Sequence, residues 1–186
     1  VRDESERQNI GHLSPWTHQH ICALSPEIIL ANSKDILLIA KQIPLVEYNL
    51  DNILAERSKD RPFLGKWEHS LVSFIHGRVI AILVAYEREP ESTPGYTRPS
   101  TYINIIATHP DFRGIGEGAR LLRTFLSKEK REDFFVIQGH KEIISVQTNS
   151  ADFNRAVSGW YSHFGFVEVG TKSYPNRTDL VLNLFL

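Results

Sequence analysis

Apolar residues recur with helical spacing over Ser33–Ile43 and Leu50–Ser58, then give way to β-branched runs at Leu71–Ile75 and Val79–Tyr86. The two runs read as a hairpin turning at His76-Gly77. From Glu89 to Pro99, proline and turn-forming residues predict a surface loop. Beyond it come a strand over Thr101–Ala107, a helix over about Gly116–Lys130 and a second strand over Ile143–Thr148. A strand, helix and strand in that order predict parallel pairing, since the helix returns the chain to the starting end of the sheet. A helix over roughly Ala151–Phe164 and closing strands Val167–Lys172 and Leu180–Leu186 complete the pattern. The expected fold is α/β: a central twisted mixed sheet with flanking helices.

Composition narrows the picture without changing it. The 186 residues are 41% hydrophobic and 23% charged, which suits one globular domain over residues 1–186. Residues 1–100 read as an amino-terminal substrate half and residues 101–186 as a ligand-binding half. A formal charge of −1 argues against an extended nucleic-acid surface and favours a small ligand. Cys22 is the only cysteine, so no internal disulfide forms and a reducing, cytoplasmic setting is expected. Neither a secretory leader nor an apolar run long enough to cross a bilayer is evident, so no membrane partner is expected. The chain contains no methionine, which fits either a segment excised from a longer polypeptide or a sequence from which modified methionines have dropped out.

Chemistry enters with Arg113-Gly114-Ile115-Gly116-Glu117-Gly118, which lies between an apolar strand and the helical pattern Ala119-Arg120-Leu121-Leu122. A glycine turn opening a helix exposes backbone N–H groups to a phosphate, and Arg113 adds a charged fork at the same mouth. The spacing is G-x-G-x-G rather than the G-x-G-x-x-G of a dinucleotide turn. A triphosphate loop is excluded because Gly-Lys-Ser/Thr occurs nowhere.

With Arg113, Gly116 and Gly118 at the positions of a Gln/Arg-x-x-Gly-x-Gly/Ala motif, and His109-Pro110 just before it, the chain from Thr101 onward resembles the GCN5-related N-acetyltransferase (GNAT) superfamily. Asn154, Tyr161 and Phe164-Gly165-Phe166 match a second block of that family. The resemblance implies an acyl-CoA, acetyl-CoA or malonyl-CoA, as substrate and no metal. It assigns the pantetheine to backbone at Ile106, Ala107 and Thr108 and the pyrophosphate to Arg113, Gly114, Ile115, Gly116, Glu117 and Gly118. Asn154 would also meet the CoA, and Tyr161 would protonate the departing thiolate. A phenol titrates near 10 and is therefore a proton donor at neutral pH. Helical geometry puts Asn154, Ser158 and Tyr161 on one face.

Many amine acetyltransferases carry a carboxylate on the strand before the glycine turn, and Tyr102–Ala107 has none. Water relays or His109 would have to replace it for an amine acceptor. A thiol acceptor needs less help, since it titrates at roughly 8.5. The chain resembles in this respect the GNAT-like domains of polyketide synthase loading modules. That likeness assigns Thr108, His140 and Arg155 to decarboxylation of malonyl-CoA, with acetyl transfer to the thiol of an acyl carrier protein, and Trp16 to the acyl tunnel. Histidine and threonine donors would stabilise an enolate, and the Arg155 fork would hold the malonyl carboxylate. The alternatives are N-acetylation of a small-molecule or protein amine and a non-catalytic CoA-binding module. His18-x-His20-x-Cys22 presents three zinc-type ligands on alternate residues without a fourth, so no metal site is expected.

Overall fold

The computed structural model describes residues 26–57, 61–129, 142–149 and 155–186. Seven strands form one sheet in the order β1-β2-β3-β4-β5-β7-β6. They are β1 (Glu27–Leu30), β2 (Leu71–Ile75), β3 (Arg78–Arg88), β4 (Ser100–Thr108), β5 (Ile143–Asn149), β6 (Val167–Tyr174) and β7 (Arg177–Phe185). Only β4 and β5 run parallel, joined across the sheet as the strand–helix–strand order predicts. The helices are α1 (Ser33–Ala40), α2 (Pro44–Tyr48), α3 (Leu50–Leu54), α4 (Lys66–His69), α5 (Glu117–Glu129) and α6 (Arg155–Ser162).

Local chemistry accounts for the boundaries. Asn32 caps α1 by accepting from Lys34 N–H while Asp35 accepts from the Asn32 N–H, a reciprocal capping box. The expected helix to Ile43 stops at Ala40 because Pro44 disfavours helical backbone at Ile43, which is extended at φ −131°. The expected helix to Ser58 stops at Leu54, where Ala55 turns extended at ψ 134°. His76 and Gly77 both take positive φ, 47° and 74°, the geometry of a type I′ hairpin turn. The predicted helix over Ala151–Phe164 is helical over Arg155–Ser162, and residues 151–154 lie outside the described residues.

The sheet has a core on each face. On one, α5 and α6 bury Leu121, Leu122, Phe125, Leu126 and Tyr161 against Leu83, Ile103, Val146 and Leu182. On the other, α1, α2 and α3 bury Ile36, Ile39, Val46 and Ile53 against Val72, Ile82, Val84 and Ile105. Ile103 and Ile105 would share a face in a regular strand. They point to opposite cores because Asn104 is an extra residue in β4, a bulge opposite the Val84/Ala85 step.

The bulge also marks where β4 and β5 part. Their pairing covers only Thr101–Ile103 against Ile144–Val146, while β4 runs on to Thr108 and β5 to Asn149. A wedge therefore opens between the two strands at Asn104, with β4 backbone along its edge.

The segment from Glu89 to Pro99 is the largely exposed loop that its composition predicts, but it is pinned to the sheet by one buried side chain. Tyr96 is 1% exposed, and the Arg88 guanidinium lies 3.6 Å from its ring centroid. Gly95, at φ +85°, fits against Val169 and Val181, where a side chain would collide.

Candidate functional site

Two clefts open where the wedge between β4 and β5 begins, each built from different elements. The first, of about 430 Å³, is lined by Ile106 and Thr108 of β4, by the glycine turn and by Val157, Trp160 and Tyr161 of α6. Gly114 and Gly116 have φ of +77° and +87° with nothing near either Cα on the Cβ side, so the backbone at the turn stands open. A Cβ on Gly118 would lie 3.5 Å from Thr108 Oγ1, which sets the start of α5 directly against the end of β4. Exposed N–H groups at a helix start and the Arg113 side chain line one mouth, an arrangement suited to a pyrophosphate. Arg113 Nε also donates to the Thr108 carbonyl at 3.3 Å.

Two residues of that turn have their side chains tied into the protein. Ile115 packs with Phe112, Ile75 and Ile80 and so anchors the turn by its side chain. Glu117 is 4% exposed, and its carboxylate accepts from Ser73 and, at 2.6 and 2.9 Å, from Arg120. This pairing keeps a carboxylate from opposing an anion at the helix start. Ala107 likewise buries its side chain in the core under α1–α3, leaving only backbone for a ligand.

Tyr161 is set by the end of α6. Gly165, at φ +91°, lets its N–H reach the Ser162 carbonyl at 3.0 Å and the Phe166 N–H reach the Tyr161 carbonyl at 3.4 Å, the paired bonds of a Schellman cap. Phe166, 2% exposed, packs its ring 5.3 Å from the Tyr161 ring. The Phe164-Gly165-Phe166 block is thus a helix stop that orients the tyrosine. Burial raises the Tyr161 pKa well above the ordinary phenol value, so the group is protonated at neutral pH.

The second cleft, about 620 Å³, lies across the sheet under α2 and α3. Tyr102 and Asn104 of β4, Gln147 and Thr148 of β5, and Tyr174 and Asp179 from the last hairpin line it. Phe63 and Tyr86 stack there with centroids 4.2 Å apart. Gln147 Nε2 donates to Tyr174 Oη at 2.7 Å and to Asp179 Oδ2 at 2.5 Å, and its Oε1 accepts from Tyr96 at 3.3 Å. The strand before the glycine turn, where a carboxylate is expected, carries none over Tyr102–Ala107. Asp179 arrives instead from β7, and its signal in the sequence was a lone acid ahead of the apolar run Leu180-Val181-Leu182.

The remaining candidates are distributed as follows. His109 does not line either cleft. It is 4% exposed, with Arg78 Nη2 at 2.9 Å from Nε2 and the Asp111 N–H directed at Nδ1. Burial and the neighbouring Arg78 lower its pKa, so it is a neutral turn-capping residue, and its proposed part as a base has no geometric support. Trp16, His18, His20, Cys22, His140 and Asn154 lie outside the described residues, and for Arg155 only the backbone at the start of α6 is described. Among the described residues no group of three or more His, Cys, Asp or Glu side chains is arranged to hold a metal ion, and no helix is long and apolar enough to cross a membrane.

A glycine-turn cleft beside a splayed pair of parallel strands is the signature of a family of acyl-transferring folds, and the comparisons specify it. The chain belongs to the acetyltransferase (GNAT) domain family, whose model matches residues 66–168. Its seven-stranded mixed sheet with flanking helices is the fold of that acetyltransferase family. Among curated protein sequences none matches it. Solved structures with the same fold include the ribosomal-protein-S18-alanine N-acetyltransferase from Escherichia coli, at 15% identity, 87% coverage of this chain, 94% of that one and a TM-score of 0.58. The NatC complex bound to Gag peptide and CoA aligns at 20% identity, 88% and 99% coverage and a TM-score of 0.59. An N-acetyltransferase from Staphylococcus aureus aligns at 17% identity, 85% and 100% coverage and a TM-score of 0.54.

Proposed function

We propose that the protein is an N-acetyltransferase that moves the acetyl group of acetyl-CoA onto a primary amine seated in the second cleft. The observation that carries this reading is the division of labour at the wedge. The phosphate-type mouth and Tyr161 lie on one side of the sheet, and a polar, aromatic cleft with the carboxylate of Asp179 lies on the other. Such an arrangement lets a thioester threaded between β4 and β5 meet an amine from the opposite face.

In this scheme the turn from Arg113 to Gly118 holds the pyrophosphate, and the free edge of β4 beyond Asn104 offers N–H and C=O groups to the pantetheine amides. Asp179, steadied by Gln147, draws the ammonium into the cleft and takes its proton, directly or through a water. The freed amine nitrogen bonds to the acetyl carbon, the C–S bond breaks, and the second proton left on the nitrogen passes to water, giving the neutral amide. The thiolate then takes a hydrogen bond from Tyr161. Because the buried phenol holds its proton more tightly than a thiol does, Tyr161 stabilises the thiolate as a donor more than it acidifies the medium.

Malonyl decarboxylation with transfer to a carrier protein needs Thr108, His140 and Arg155 together, and of these only the Thr108 side chain is described at the first cleft. Nothing in the second cleft favours it. A single assay separates the readings: purified protein with acetyl-CoA or malonyl-CoA, a panel of amines and peptides, and release of free CoA thiol followed with acceptor mass. Acetylated amine is the expected product. Acetyl-CoA formed from malonyl-CoA, with no amine acetylated, would replace this reading with the decarboxylase one, and CoA binding without turnover on any acceptor would leave a binding module.

A further inference from the structure

We infer that the acceptor is an elongated amine bearing a carboxylate near its amino group, and that Arg57 is the residue that selects it; this rests on the N-acetylation reading above. The second cleft shares Phe63, Tyr86, Tyr102, Asn104, Gln147 and Tyr174 with a further cavity of about 300 Å³, so the two form one continuous groove. A groove of that extent suits a peptide amino terminus of a few residues better than a compact amine.

The charges of the main cleft then define the peptide. The charged residues described at the main cleft are Arg57, Arg177 and Asp179, and the further cavity adds Arg61, Arg88 and Lys172 against Glu87, Glu89 and Glu91, so the groove carries one more cation than anion. Arg177 Nε stands 3.2 Å from Asp179 Oδ1 and its guanidinium lies 5.0 Å from the Tyr174 ring, so this pair is largely self-compensated. Arg57 is exposed, and no ion pair or hydrogen bond joins its side chain to another described residue. Its backbone is nonetheless fixed: Arg57 bridges to Pro62, and the Phe63 N–H donates to the Glu56 carbonyl at 2.8 Å.

An ordinary amine enters such a cleft as a cation and meets a surplus positive charge, which is unfavourable. An amine with a nearby carboxylate meets Asp179 with one end and Arg57 with the other. The guanidinium fork suits a carboxylate through two parallel N–H donors. An acidic side chain at the first or second residue of a peptide supplies that group, and the α-carboxylate of a free amino acid is its other source.

The test compares kcat/KM for short peptides that carry Asp or Glu, Ala, or Lys at the first two positions, with free glutamate as a separate arm. The native protein is expected to prefer the acidic peptides by about tenfold or more, with the preference shrinking as salt rises. Arg57→Glu should remove or invert the preference while leaving KM for acetyl-CoA unchanged, and Arg57→Lys should restore part of it. Equal use of acidic, neutral and basic peptides would overturn the inference and leave N-acetylation standing, as would an Arg57→Glu variant that slows every peptide alike. Efficient use of glutamate with none of the peptides would overturn the peptide assignment. Failure to acetylate any amine would overturn both readings.

Discussion

Phe166 and Tyr161 are joined twice, by rings 5.3 Å apart and by the Phe166 N–H on the Tyr161 carbonyl at 3.4 Å. The joint exists because Gly165 takes a φ of +91° that other residues resist. Gly165→Ala meets that backbone strain, and its Cβ would also stand 3.2 Å from Leu184 Cδ1. We expect a loss of roughly 1–2 kcal/mol in urea unfolding. Acetyl transfer should fall further than stability alone explains, since the tyrosine is displaced; an unchanged kcat in the folded variant would count against the cap as its positioning device.

Tyr161→Phe removes the hydroxyl and keeps the ring packing. The variant should fold normally, bind acetyl-CoA with little change and lose on the order of a hundredfold in kcat. Steady-state kinetics with both substrates varied checks this, and a rise confined to KM would assign Tyr161 to binding instead.

Asp179→Asn keeps the size of the side chain and its place beside Gln147 while removing the charge. We expect kcat/KM for the amine to fall roughly a hundredfold, with KM for acetyl-CoA unchanged. If the variant retains full rate at neutral pH, the proton leaves the amine by a route that does not involve Asp179.

Lys66 makes the stability depend on alkaline pH. Its ammonium is buried over the rings of Phe63 and Trp67 and donates to the Ala55 carbonyl, and burial, partly offset by Glu56, pushes its pKa from 10.5 down to about 8. Between those values the unfolded chain binds more protons than the folded one, so this residue makes stability rise with pH from about 8 to 10.5. Tyr86 acts in the opposite sense at higher pH, because burial raises its phenol from 10.0 to about 12. Urea unfolding at pH values from about 7.5 to 10, for the native protein and Lys66→Met, should show the rise in the first and a flatter profile in the second.

Much of the fold was legible because strands and helices bury apolar faces with different periods. The hairpin at His76-Gly77, the parallel pair β4 and β5 and the closing hairpin all follow from local pattern. The β1 strand and the short helices α2 and α4 went unpredicted, since four or five residues carry too little periodicity to register. The bulge left a trace in the doublet Ile105-Ile106, which breaks alternation, but only the sheet register assigns the extra residue to Asn104.

The glycine turn was legible because a phosphate cradle is local: a few consecutive residues and one helix start suffice. The family motifs around it, from Arg113 to Gly118 and at Phe164-Gly165-Phe166, are local for the same reason. The second cleft is not local. Tyr102, Gln147 and the hairpin residues Tyr174 and Asp179 come from three distant parts of the chain and meet only because β5 pairs with β7 and parts from β4. The amino-acid sequence by itself determined the class of fold and the glycine turn that opens α5, where structure depends on neighbours in the chain. Tertiary structure decided which carboxylate and which cations line the second cleft, because strand pairing brings together side chains that no spacing rule connects.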